Sequence, residues 1–158
     1  MSAPADATAV ITWLVRALAA RRVLLIGGDN VNRLSAVAAA LPPDALLICM
    51  LHDAGVAAAA RTALQAGGHA ERASVMVGDP VRFLHKLSGP FDLVVQDGSH
   101  DRVTSTHERV VQLVDVTGTL VTEHVSRGGR YNEQLAGDAR FYTITLNADD
   151  GISLSVRL

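Results

Sequence analysis

Apolar residues near the start of the chain recur at helical spacing, Val10, Leu14, Ala17 and Leu18 among them, while Asp6 and Arg16 supply a polar face. That spacing predicts one amphipathic helix over residues 7–20. The pattern then changes. After Arg21-Arg22, positions 23–26 read Val-Leu-Leu-Ile without interruption and stop at Gly27-Gly28. A short unbroken apolar run predicts a strand buried on both faces, as in a parallel sheet. Asn30 stands where it can cap a second helix that runs through Val37 and Ala40 to Pro42-Pro43.

The same unit then repeats. Strands are predicted over 45–51, 73–77, 91–96 and 118–122, separated by helices over 55–66, 81–87 and 102–114. Asp53 is placed to cap the first of these helices, Gly67-Gly68 to close it, and Pro80 to open the next at a first-turn position. Repeated alternation of strand and helix is the signature of a doubly wound parallel sheet. The ending departs from it. Segments 141–146 and 152–156, with alternating apolar residues, flank a loop that contains Gly151, which indicates an antiparallel hairpin. The expected fold is α/β: a Rossmann-like, doubly wound, mostly parallel seven-stranded sheet ending in an antiparallel β-hairpin, as one domain over residues 1–158.

Composition narrows the partners. The chain has 158 residues, of which 49% are hydrophobic, and a formal net charge of −2, so neither disorder nor a nucleic-acid footprint is expected. One cysteine, Cys49, excludes a disulfide within the chain and reads as a small buried residue. The apolar runs are too short to span a bilayer, and the first twenty residues lack the early positive charge of a signal peptide. The expectation is a cytoplasmic protein with no membrane partner.

The segments RRVLLIGG (21–28), VGDPVRFLHKL (77–87), PFDLVVQDGSH (90–100), TGTLVTEHV (117–125) and YNEQLAGDARFYTITLNADDGISLSVRL (131–158) carry a resemblance. In order and spacing they resemble the class I S-adenosylmethionine-dependent O-methyltransferases of the catechol and caffeoyl-coenzyme A type, over nearly the whole chain. The last block is the most telling, since that family ends in a helix, a strand and a Gly-turned final strand. The resemblance implies S-adenosylmethionine as cofactor and a small hydroxylated acceptor. By comparison, a helical segment ahead of Ala7 is missing and the connection over 125–130 is short, which would open the acceptor side.

In open parallel sheets ligands bind beyond the C-terminal strand ends, near the switch in strand order. This singles out 27–31, 51–53, 78–80, 97–100 and 123–124. The family places an acidic residue in the first strand and spaced glycines after it. Here Leu25 takes the acidic position, Gly27 and Gly28 remain, and Asp29 and Val31 stand in place of later glycines. At the end of the second strand Leu51 occupies the place of the acidic residue that accepts from the ribose hydroxyls. Asp53, two residues on, is either its substitute or a helix cap. Asp79, beside Pro80, is expected near the adenine and doubles as a cap. Gly27, Gly28, Asp29, Asp53, Asp79, Pro80 and Asp97 are thus the candidate cofactor contacts.

Asp97, Glu123 and His124 occupy the positions of the family's Asp and Asp-Asn cation ligands. Oxygen donors suit Mg²⁺, and the histidine would shift preference toward Zn²⁺ or Mn²⁺. His100 falls where catechol-type enzymes carry a proton-accepting lysine, and imidazole has a pKa suited to a general base. The other histidines, His52, His69, His85 and His107, are expected in loops or on helix surfaces. Two functions remain open: methyl transfer to a hydroxyl, or a catalytically silent relative that serves as a binding or oligomerisation module. An uncovered sheet edge would favour a homodimer. A third reading, another nucleotide ligand, ranks last, because the G-x-G-x-x-G loop is absent.

Overall fold

The computed structural model describes residues 6–28, 30–127 and 129–158. Asp29 therefore lies outside the described residues. The elements run α1 (Ala7–Ala17), β1 (Arg22–Ile26), α2 (Val31–Ala40), β2 (Leu46–Leu51), α3 (Ala54–Ala66), β3 (Ala73–Val77) and α4 (Pro80–Leu84). They continue with β4 (Phe91–Asp97), α5 (Val103–Leu113), β5 (Val114–Glu123), a single 3₁₀ turn (Val125–Arg127), α6 (Arg130–Ala136), β6 (Phe141–Leu146) and β7 (Ile152–Arg157).

The seven strands form one sheet in the order β3-β2-β1-β4-β5-β7-β6. Strands β1 to β5 pair in parallel, and β7 runs antiparallel between β5 and β6. This is the expected fold, with the hairpin at the predicted place. Successive residues of a strand point to opposite faces, so β1 sends Val23 and Leu25 into one core and Leu24 into the other. The first core packs Ile11 and Val15 of α1, Leu34 and Val37 of α2, and Leu64 of α3 on the sheet. The second packs Val110 and Val111 of α5 with Tyr131 and Leu135 of α6 against Leu24, Met50, Val94 and Leu120. Burial on both faces is why these strands read as unbroken apolar runs. Cys49 is buried in the first core, and burial pushes its thiol up to about 12. Among the described residues no helix is long and apolar enough to cross a membrane.

Three boundaries differ from expectation, each for a local reason. Helix α1 stops at Ala17, because Ala19 turns left-handed (φ 46°) and the Ala20 N–H reaches back to the Val15 carbonyl at 3.0 Å. Helix α4 ends at Leu84 rather than Leu87, and Arg109 of α5 donates to the carbonyls of Leu84 (2.8 Å) and Leu87 (2.6 Å). Strand β5 begins at Val114, directly after α5. Val114 pairs with Phe91, and the register shifts between Phe91 and Leu93. The irregular stretch before the predicted start hid the first half of the strand.

Candidate active site

Strand order reverses between β1 and β4, and the site lies at the C-terminal ends of the strands around that switch. Strand β1 is followed by Gly27 and Gly28, both left-handed at φ 78° and 98°, with no atom within 4 Å of where a Cβ would stand. Glycine is required there by backbone conformation, and the space over the turn is open. Asn30 then caps α2, its side chain accepting from the Arg33 N–H at 3.0 Å. Two cavities meet over this turn. The larger, about 270 Å³, reaches Leu51, Asp97, Glu123 and His124. The smaller, about 60 Å³, reaches His52, Pro80, Gln96 and His100. Ile26, Gly27, Gly28 and Asp97 wall both.

The predicted contacts fall into two groups. Gly27, Gly28, Pro80 and Asp97 are cavity walls. Asp53 and Asp79 are not among those wall residues. Asp53 caps α3 by accepting from the Val56 N–H at 2.9 Å, and Asp79 caps α4 by accepting from Val81 at 3.0 Å. Leu51, 1% exposed, presents an apolar wall at the end of β2.

Asp97 and Glu123 are partners in the parallel register of β4 and β5, so the fold sets the two carboxylates side by side. They have different neighbours. Asp97 Oδ1 accepts from the Ser99 N–H (2.9 Å), the Ser99 hydroxyl (2.7 Å) and His124 Nδ1 (3.1 Å). Burial works to raise its pKa, but the Ser99 and His124 bonds outweigh it and hold the carboxyl below the usual range. His124 sits at φ 54°, a left-handed conformation uncommon outside Gly, Asn, Asp and His. Gly98 must be glycine, since a Cβ there would lie 2.7 Å from Thr122 Cγ2.

Glu123 is only 6% exposed, and Arg33 Nη1 lies 2.6 Å from each carboxylate oxygen. Only Oε2 accepts a well-directed hydrogen bond, and Oε1 is buried without one. Burial raises the Glu123 pKa despite the guanidinium. The three residues expected to hold a divalent cation therefore do not present a converged donor set. Among the described residues the one trio of such donor atoms within 4.8 Å of one another is His107, Glu108 and Asp138, where Arg140 already bonds both carboxylates.

His100 stands beside the smaller cavity with its Nε2 3.1 Å from His52 Nε2, the rings 5.1 Å apart and nearly parallel. The Arg102 N–H donates to His100 Nδ1 at 3.1 Å, which puts the neutral ring's proton on Nε2, facing His52. His52 and Arg33 are site residues that sequence reasoning missed. Neither has a local signal, since their partners lie 48 and 90 residues away. His107, expected on a helix surface, is in fact 1% exposed: Nδ1 accepts from the Tyr131 hydroxyl (3.0 Å) and Nε2 donates to Asp138 (2.8 Å). A signal for this existed, because His107 shares a helical face with Val103, Val110 and Val111.

Residues 1–129 match the family model described as O-methyltransferase. The chain belongs to the O-methyltransferase family. It is 32% identical over 117 residues to the catechol O-methyltransferase of Mycobacterium tuberculosis, an alignment covering 73% of this chain and 53% of that protein. The chain thus spans about half the length of that curated relative. Among solved structures, cofactor-bound Rv0187 from MTB superposes with a TM-score of 0.87 at 24% identity, covering 99% of this chain and 82% of the other. The O-methyltransferase TomG from Streptomyces achromogenes, solved with SAM, gives 0.82 at 24% identity, with 99% and 81% covered.

Proposed function

We propose that the chain is an S-adenosylmethionine-dependent O-methyltransferase acting on a small hydroxylated acceptor. The observation that carries the proposal is the open Gly27-Gly28 turn at the strand-order switch, a shared wall of two cavities. An elongated ligand laid across the turn would reach both, with backbone rather than side chain beneath it. The family, and the SAM held by the similarly folded TomG, support the choice of ligand.

Bound there, S-adenosylmethionine would supply an electrophilic methyl carbon to the acceptor oxygen. The chain's own part is to align the acceptor oxygen and to take its proton. His100 is the proposed catalytic histidine, working with His52. As a pair they present one N–H, on His100 Nε2, and one lone pair, on His52 Nε2. An acceptor hydroxyl that parts the rings meets both groups, the N–H holding its oxygen and the lone pair taking its proton. Leu51 leaves the ribose side without a carboxylate, so affinity rests on the glycine turn and the cavity walls.

The test is calorimetric titration with S-adenosylmethionine and S-adenosylhomocysteine, followed by an acceptor screen that begins with catechols. Micromolar binding is expected, with turnover lost in His100→Ala while S-adenosylhomocysteine still binds. No binding at millimolar ligand would sink the proposal and leave the fold as a binding module. The same reading takes the chain as a cytoplasmic homodimer. Exposed Tyr142 and Ile144 on the outer edge strand β6, with Val156 on neighbouring β7, support the dimer.

A further inference from the structure

The strand-end residues Asp97, Glu123 and His124 stand where the family resemblance implies a cation-binding set, yet Asp97 Oδ1, Glu123 Oε2 and His124 Nδ1 are engaged within the protein. We infer that the Arg33 guanidinium takes the place of a divalent cation at the ends of β4 and β5, so that this site is built to work without metal. Three observations carry this.

Arg33 is a fixed cation rather than a loose surface arginine. Its Nη1 lies 2.6 Å from both oxygens of Glu123, its Nε donates to Thr8 Oγ1 at 3.1 Å, and its side chain is 19% exposed. Two separate helices hold it, α2 by sequence and α1 through Thr8. Two further donor atoms are also spent. His124 has its Nδ1 on Asp97, and Asp97 Oδ1 takes Ser99 as well. The third is the buried Oε1 of Glu123, the one carboxylate oxygen of that residue with no hydrogen bond, which lies 2.6 Å from Arg33 Nη1. A divalent ion reaching it would have to sit against a positive charge already in contact, or expel Arg33 and break its bond to Thr8. Like charges at such a distance repel, whereas the guanidinium already balances the carboxylate.

The inference deepens the methyltransferase reading but is measured without methyl transfer. Purified wild type is titrated with Mn²⁺ by calorimetry and by electron paramagnetic resonance, and S-adenosylhomocysteine affinity is compared in EDTA and in Mg²⁺. Expected are no saturable Mn²⁺ uptake at millimolar metal and the same nucleoside affinity in both buffers. Arg33→Met is expected to bind Mn²⁺ at least tenfold more tightly than wild type, and Arg33→Met with Glu123→Gln to lose that gain. One-to-one Mn²⁺ binding by wild type at sub-millimolar concentration would overturn the inference. So would a folded Arg33→Met protein that binds Mn²⁺ no better than wild type. If Arg33→Met does not fold, the wild-type titration decides alone. A wild type that ignores both S-adenosylhomocysteine and Mn²⁺ sinks the methyltransferase proposal and leaves this one standing.

Discussion

Tyr131→Phe isolates the buried network that joins the smaller cavity's wall to helices α5 and α6. The Tyr131 hydroxyl accepts from Gln96 Nε2 at 2.6 Å and donates to His107 Nδ1 at 3.0 Å, and His107 passes the chain on to Asp138. Burial pushes the tyrosine pKa up to about 12, so the hydroxyl remains a donor at any ordinary assay pH. Phenylalanine keeps the ring and its packing, and no cavity contribution enters. Gln96 retains Thr122 as a partner at 3.2 Å, but His107 Nδ1, in a residue 1% exposed, is left with none. Two bonds at about 1 kcal/mol net, plus about 1–2 kcal/mol for the stranded nitrogen, predict a loss of roughly 3–4 kcal/mol. For a chain of this size each kcal/mol moves the midpoint by about 2–4 °C, so Tm should fall by roughly 6–16 °C. Urea unfolding followed by circular dichroism measures the first quantity and a thermal scan the second. A loss below about 1 kcal/mol would refute the reasoning, because it would mean that the hydroxyl is not the only partner of the His107 nitrogen.

Two further outcomes follow from local chemistry. Asp53→Ala should cost about 1 kcal/mol, while Asp53→Ser, which preserves the cap, should cost little. If capping is the only role of Asp53, S-adenosylhomocysteine affinity is unchanged in both, and a tenfold loss in Asp53→Ser would instead assign its carboxylate to the ligand. The acid limb of stability should depend on Asp138. The Arg140 hydrogen bond, with help from His107, holds this carboxyl well below the ordinary value of about 3.9. Its contribution is therefore complete above the unfolded pKa and is lost as pH falls through the folded one. Glu108, lowered first by its hydrogen bond from Arg140, runs the same way. Glu123, raised by burial, runs oppositely, its ionisation subtracting stability as pH rises past the usual carboxylate range. Urea midpoints measured from pH 7 downward should fall less steeply in Asp138→Asn than in wild type, and parallel curves would remove Asp138 from the account.

What could be read from sequence was whatever a local pattern encodes. The parallel strands show as apolar runs because both faces are buried, and Asn30, Asp53 and Asp79 sit at helix starts because a cap needs only the next two or three residues. Gly27-Gly28 marked the turn over which the cavities open. The charged part of the site was not legible. Arg33 finds Glu123 across 90 residues and His52 finds His100 across 48, and no periodicity records pairings that only the sheet order creates. The trio Asp97, Glu123 and His124 could be placed at adjacent strand ends from topology, but topology does not say which way a carboxylate turns once an arginine is near.

The strand ends β2, β4 and β5 handle charge by different physics. At β2 Leu51 closes the wall with buried apolar surface and brings no charge. At β4 and β5 the charges remain, and neighbouring carboxylates on strands about 5 Å apart would repel by up to roughly 3 kcal/mol at an effective dielectric near 20. That repulsion must be offset in the empty protein. Ser99 and His124 stabilise Asp97, and Arg33 balances Glu123, so each carboxylate has its own partner before any ligand arrives. A site that neutralises itself in this way needs no ion to fold, and His124 beside Glu123 then has a purpose apart from metal. It supplies Nδ1 to Asp97 at 3.1 Å from a left-handed backbone position.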